Sequence, residues 1–461
     1  ITGPGVTNAA TAIGQAYADS IPMLVISSVN HTASLGKGWG CLHETQDQRA
    51  MTAPITAFSA VALRGDDLPE LIARAWAVFD SERPRPVHIS VPLDVLAAPV
   101  SRDWSDEVVR RPGRGQPCRE TLDQAALKLA AAKRPMIIAG GGALHAAEQL
   151  AQLSTRLAAP VFTSVAGKGL LAPQAPLNAG SSLCVEPGWQ LISQADVVLA
   201  VGTEMADTDF WRERLPITGE LLRVDIDPRK FNDFYPCAIA LQGDARQTLA
   251  GLLEHLPALD RDPAQASEAV SNLRQAIRSG HAPLQATHQA ILDRIAVVLP
   301  DDAFISSDMT QLAYTGNYAF ASRAPRSWLH PTGYGTLGYG LPAGIGGMLA
   351  TDHRPGLVLV GDGGFLYTAQ ELATAVEELD RPLVVLLWNN DALGQIRDDM
   401  LGLNIEPVGV LPRNPDFIGL ARAFGCAVRQ PRDLDTLQAD LASGFATPGV
   451  TFIELKHTCV C

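Results

Sequence analysis

What the chain lacks narrows its class before any motif is considered. Hydrophobic residues make up 47% of it, yet no uninterrupted apolar run approaches the ~20 residues of a membrane-spanning helix. It has no basic run, and its formal net charge is −13, so it has little with which to neutralise a phosphate backbone; this argues against a nucleic-acid partner. Its seven cysteines are scattered, apart from Cys459 and Cys461. They match neither a zinc site nor a disulfide framework, which points to a reducing, cytoplasmic setting. The terminal Cys459-Val460-Cys461 reads as a frayed tail. An initiating methionine and a targeting segment are both missing, since the chain opens Ile1-Thr2-Gly3-Pro4-Gly5.

At 461 residues the chain is long enough for two or three domains with large cores. Residues 1–109 carry buried-strand runs at 23–26 and 87–91, with helical patterns between them. Segment 110–117, RRPGRGQP, has the composition of a linker. A second block, 118–275, has strand runs at 136–139, 161–164, 197–201 and 222–226, alternating with helices such as 143–158. A polar, alanine-rich stretch over 261–287 leads into the third block, 285–461, with strand runs at 303–306, 357–360, 383–387 and 451–455. Such alternation predicts an α/β protein of three doubly wound domains, each a parallel sheet covered by helices on both faces.

Chemistry concentrates in the third block. The apolar run Leu357 to Val360 ends at Gly361-Asp362-Gly363, and a helical pattern follows; the run Leu383 to Trp388 ends at Asn389-Asn390. Hard oxygen ligands therefore stand at the carboxyl ends of two parallel strands. A carboxylate, an amide oxygen and a main-chain carbonyl suit a magnesium ion that keeps water and binds a diphosphate. The glycines let backbone amides approach phosphate oxygens.

These residues and their spacing resemble the GDG…NN motif of thiamine diphosphate enzymes. The chain as a whole is similar to the superfamily of acetolactate synthases and 2-oxo acid decarboxylases. The resemblance implies Asp362, Asn390 and the carbonyl of Ala392 as magnesium ligands, with Gly361, Gly363, Gly364, Leu393 and Gly394 against the cofactor. It makes the three blocks pyrimidine-binding, central and diphosphate-binding domains. It also places the family's activating glutamate upstream of Ile1, so the first domain is expected to be incomplete and this chain to turn over little.

Further segments fit the same resemblance. Gly3-Pro4-Gly5, with Thr7 or Asn8 as a cap for a helix over 9–18, is similar to the loop that approaches the pyrimidine. In the glycine-rich segment 332–342, the Gly335 carbonyl would accept a hydrogen bond from the pyrimidine amino group. Leu337 would be the bulky residue that bends the cofactor. Thr310 and Gln311 line up with the diphosphate-side loop, and Leu312 stands where acetolactate synthases often carry histidine. His43 and Glu44 align with the family's segment near the substrate, where His43 could move protons.

Two features argue against a second cofactor. Gly140-Gly141-Gly142 lacks both the spacing and the acidic partner of a dinucleotide fingerprint. Segment 202–207, Gly-Thr-Glu-Met-Ala-Asp, lacks the arginine with which acetolactate synthases contact FAD, so a central domain without flavin is expected. The substrate follows from the same comparison. Acetolactate synthases carry apolar residues where this chain has Gln395 and Asp399, and Asp398 adds a second carboxylate; together these could receive a cation. The wording of QAYADSIPMLVISSVN and RPRPVHISVPLDV resembles the branch that decarboxylates 5-guanidino-2-oxopentanoate (2-ketoarginine). The expected activity is non-oxidative decarboxylation of that 2-oxo acid to 4-guanidinobutanal, by a homodimer or homotetramer with the cofactor between subunits. The alternatives are an acetolactate synthase-type carboligase acting on pyruvate, a non-catalytic relative, and a Rossmann-type oxidoreductase, which leaves GDG…NN unexplained.

Overall fold

The computed structural model describes residues 1–101, 103–104, 113–351 and 354–460. The expected boundary at 109, the start of the 110–117 linker and Cys461 lie outside the described residues. Three sheets form, and every strand pairing among the described residues is parallel. The first contains β1 (Leu24–Val29), β2 (Phe58–Val61) and β3 (Val87–Pro92), in the order β1-β3-β2. The second contains β4 (Pro135–Ala139), β5 (Val161–Thr163), β6 (Asn178–Gly180), β7 (Val197–Val201), β8 (Glu220–Asp225) and β9 (Ile239–Gln242), in the order β6-β5-β4-β7-β8-β9. The third contains β10 (Phe304–Ser307), β11 (Trp328–Leu329), β12 (Gly356–Gly361), β13 (Leu383–Asn389), β14 (Ala427–Arg429) and β15 (Val450–Lys456), in the order β11-β10-β12-β13-β15-β14. The protein is thus α/β, built on three parallel sheets.

Helices cover both faces of the interior strands, which explains their unbroken apolar sequences. Every residue of β12 and β13 is buried. In the third sheet the chain leaves β10 toward β11, then returns to build β12 and β13 on the other side. The carboxyl ends of β10 and β12 therefore flank the point where strand order reverses, the place where open α/β sheets bind ligands.

Several elements differ from the sequence reading. The first helix is Pro4–Ala18 and not 9–18: proline fits the first turn, and Gly3, at φ 54°, takes the cap position. Thr7 lies inside that helix and donates to the Pro4 carbonyl at 2.9 Å, so neither it nor Asn8 caps anything. The helix expected over 143–158 divides into a 3₁₀ segment, Gly141–Ala146, and an α-helix, Ala147–Leu157. The alanine-rich stretch forms one whole helix, Ala264–Ser279, and the first turn of a second, Pro283–Val298.

Gly140 and Gly142 are explained by packing. A Cβ on Gly140 would lie 2.5 Å from the Gly202 carbonyl oxygen, and one on Gly142 would lie 2.8 Å from the Gly202 Cα. The turns after β4 and β7 touch backbone to backbone, which accounts for these glycines without a phosphate. The second and third sheets are joined through Lys168, whose buried amine donates to the carbonyls of Gly316, Asn317 and Phe320 at 3.2, 2.8 and 2.6 Å. These are carboxyl-terminal groups of the helix Gln311–Ala319, where a cation also complements the helix dipole.

Candidate active site at the carboxyl edge of the third sheet

Asp362 follows β12 directly and is only 2% exposed. Its Oδ1 accepts from the Gly363 amide at 2.9 Å and its Oδ2 from the Asn414 side chain at 2.8 Å. Burial pushes its pKa up, against the hydrogen bonds from Asn414, Gly363 and Ala392. The Asn414 Nδ2 also faces Asn389 Oδ1 at 3.1 Å and Asp391 Oδ1 at 3.2 Å. Three oxygens thus crowd one NH₂ group, while the Asn414 Oδ1 is buried without a hydrogen-bond partner. No three His, Cys, Asp or Glu side chains cluster among the described residues. The donor set is instead one carboxylate with amide and carbonyl oxygens, which matches magnesium. The residues present fit that ion.

The two asparagines after Trp388 point to different places, as successive strand residues do. Asn389 is buried and donates to Glu454 Oε1 on β15 at 2.7 Å. Asn390 donates to Gln311 Oε1 at 3.2 Å. Gln311 in turn donates to Asp398 Oδ2 at 2.9 Å. A Cβ on Gly394 would lie 2.5 Å from Asn390 Nδ2 and 2.6 Å from Gln311 Oε1, and one on Gly363 would lie 2.5 Å from Leu393 Cδ2. Gly361 packs likewise on Thr310. The sequence-predicted set Thr310, Gln311, Gly361, Asp362, Gly363, Gly364, Asn390, Ala392, Leu393 and Gly394 therefore converges on one crevice.

The predicted substrate residues sit on the helix Gly394–Gly402, but they are not equivalent. Asp398 is already paired with Arg397 at 2.8 Å and braces Gln311. Asp399 is exposed and accepts from the Gln395 amide at 2.9 Å. Burial pushes the nearby Tyr314 hydroxyl up to about 12, and the charges of Asp308 and Asp399 act in the same direction.

The glycine-rich loop reaches the first domain. Gly335 (φ 67°) and Gly338 (φ 80°) adopt left-handed conformations. Thr336 donates its amide to Gln15 Oε1 at 3.2 Å, and Gly333 to Asp19 Oδ1 at 2.8 Å. Leu337 is half-buried. At the other end of the same helix, the Gly3 amide donates to Gln48 Oε1 at 2.8 Å. The carbonyl of His43 covers Gly3 so closely that a Cβ there would lie 2.4 Å away. His43 itself has φ 62°, and its side chain makes no hydrogen bond among the described residues. Glu44 accepts from the amides of Gly38 and Cys41 at 3.0 and 2.9 Å, closing its own loop.

Four residues of this region escape sequence reasoning. Gln48 is one of them: it holds the Gly3 turn and also donates to Ser27 Oγ and Ser90 Oγ at 3.0 and 3.1 Å. Beside it His88, fully buried, contacts Ser27 Oγ at 2.8 Å and Thr52 Oγ1 at 2.7 Å. Asn414 and Glu454 support the metal-side oxygens from distant positions in the chain. Asp308, at the end of β10, is buried against the glycine-rich loop. Gln48, His88, Asn414 and Glu454 carry no readable signal, whereas Asp308 does, as a carboxylate directly after a buried strand run.

The strand-order switch, the single buried carboxylate of Asp362 and the close-packed glycines around it have the donor types that suit a divalent cation and a diphosphate. Three family models match in order: the thiamine pyrophosphate enzyme N-terminal TPP binding domain at 1–51, the central domain at 122–252 and the C-terminal TPP binding domain at 308–455. The chain belongs to the thiamine pyrophosphate (thiamine diphosphate) enzymes. It is 79% identical over 459 residues to the probable 2-ketoarginine decarboxylase of Pseudomonas aeruginosa, which covers 100% of this chain and 82% of that one. More distant relatives are the acetolactate synthase isozyme 1 large subunit of Escherichia coli, at 28% identity over 99% of this chain and 81% of its own, and the probable acetolactate synthase large subunit of Methanocaldococcus jannaschii, at 30% over 92% and 75%.

Proposed function

We propose that the protein is a thiamine diphosphate- and magnesium-dependent decarboxylase of 2-ketoarginine, releasing carbon dioxide and 4-guanidinobutanal. The observation that carries the substrate is the 79% identity, along the whole chain, to a probable 2-ketoarginine decarboxylase. Asp362, Asn390 and the Ala392 carbonyl would hold magnesium, with Asn414 and Asn389 keeping Asp362 in place. Gln311, Thr310 and the amides around Gly363 and Gly364 would line the diphosphate. When bound, thiamine diphosphate supplies the carbon nucleophile and the electron sink that decarboxylation requires. The chain's own part is to bind, orient and keep water away from the reacting carbon.

Asp399 would receive the guanidinium of the substrate, because Asp398 is occupied by Arg397 and Gln311. His43 is the candidate for proton movement near the substrate. Glu204, in the segment 202–207 that lacks an arginine, pairs with Arg83 at 2.5 Å and lies 3.6 Å from Lys230. This supports a central domain that binds no FAD. A homodimer or homotetramer, with the site completed between subunits, is the assembly we expect.

Product analysis tests the reading. The full-length protein is incubated with thiamine diphosphate, magnesium and either 2-ketoarginine or pyruvate. A guanidino aldehyde from the first acid is the expected product. Acetolactate from pyruvate as the dominant product would assign the chain to the carboligase branch instead.

A further inference from the structure

Asp308 takes no part in the proposed metal set and stands directly after β10, against the glycine-rich loop. It is fully buried. Its Oδ1 accepts from the amides of Met309 at 2.8 Å and Gly338 at 3.2 Å, and its Oδ2 accepts from Gly340 at 2.9 Å. A Cβ on Gly364 would lie 2.7 Å from the same Oδ1, so the backbone after Asp362 rests on this carboxylate. From the opposite side, Thr368 Oγ1 donates to the Gly338 carbonyl at 3.0 Å. Burial pushes the Asp308 pKa up, and the amides of Gly340, Met309 and Gly338 act against it. A buried carboxylate satisfied by main-chain amides is costly to desolvate; an apolar residue would fill the space at lower cost. What an apolar residue could not do is hold the glycine-rich loop by hydrogen bonds while the 361–364 turn packs against it.

We propose that Asp308 is a positioning residue for the cofactor, fixing the glycine-rich loop relative to the turn that carries Asp362 while touching neither cofactor nor substrate. The inference rests on the thiamine diphosphate reading of the site. Three pieces of chain that the sequence associates with the cofactor meet on this side chain. They are the 308–312 loop with Thr310 and Gln311, the 332–340 loop with Gly335 and Leu337, and the 361–364 turn. Both carboxylate oxygens are used, so asparagine cannot replace it: its NH₂ would face a backbone N–H.

The test is Asp308→Asn, with thiamine diphosphate affinity measured by calorimetry in the presence of magnesium. Affinity is expected to fall about tenfold or more, roughly the loss of one charge-assisted hydrogen bond. Ile345→Ala, a core truncation in the helix that follows the loop, should lower the melting temperature and leave cofactor affinity unchanged. If Asp308→Asn behaves like Ile345→Ala, losing stability but not affinity, the inference is overturned. Should Asp308→Asn not fold, Thr368→Val decides, since it loosens the same loop from its accessible side. It must weaken cofactor binding, and unchanged affinity rejects the proposal. Failure of the wild-type protein to bind thiamine diphosphate with magnesium would be a different result, one that removes the proposed site itself.

Discussion

Asp362 illustrates how much a single carboxylate can decide. It is the only formal charge in the proposed ligand set, so Asp362→Ala should abolish magnesium-dependent thiamine diphosphate binding in calorimetry; retained affinity would remove the ligand assignment. Asp399 and Asp398 give a paired comparison. Asp399→Asn should lower kcat/KM for 2-ketoarginine by roughly one decade, the worth of a charge-assisted hydrogen bond, and leave pyruvate turnover unaffected. Asp398→Asn should instead weaken cofactor binding, since Asp398 braces Gln311. Identical profiles for the two variants would refute this division. The sequence displayed Asp362, Asn390 and the glycines because a motif packs them into two short stretches. It could not display Asn414, which reaches Asp362 from the loop after the helix Gly394–Gly402, nor Gln48, whose role arises only when the Gly3 turn lies over it. Pairings that depend on tertiary approach leave no local periodicity to read.

At the level of elements, legibility followed burial. Each strand recognised from the sequence is an interior strand, apart from β1. Those passed over, β2, β6, β9, β11 and β14, are all sheet edges. Edge strands are covered less completely and are short: β6 has three residues and β11 two. Neither supplies the run of apolar residues by which a parallel interior strand is recognised. Glycines at element ends gave the opposite problem, since their number was plain and their reason was not. Gly202 has φ 54°, and a Cβ there would lie 2.6 Å from the backbone of Gly142. Gly202→Ala should therefore destabilise the central domain by about 2–3 kcal/mol, measured by urea denaturation. A loss below ~0.5 kcal/mol would mean that the turns after β4 and β7 can separate freely.

For the molecule as a whole, acid sensitivity is written into its buried histidines. Burial lowers the His88 pKa from 6.5 to about 4, so between those values the unfolded chain binds a proton that the folded chain refuses. Folding stability should therefore fall as the pH drops from about 6.5 to about 4, by up to ~3 kcal/mol from this residue. His88→Gln should flatten that slope in urea midpoints, and parallel curves for the two proteins would show that His88 is not the source. His288, also lowered to about 4, sits in the third domain and should respond independently. The central domain plays a mechanical part as well. The helix that opens with Gln311 closes on the amine of Lys168, which belongs to the turn after β5. That helix works as a strut, with one end at the proposed cofactor site and the other anchored in a domain that holds no piece of that site. Catalytic halves cut free of their middle would keep every ligand and lose the fixture that aligns them; in this architecture the apparent spacer is a bearing surface.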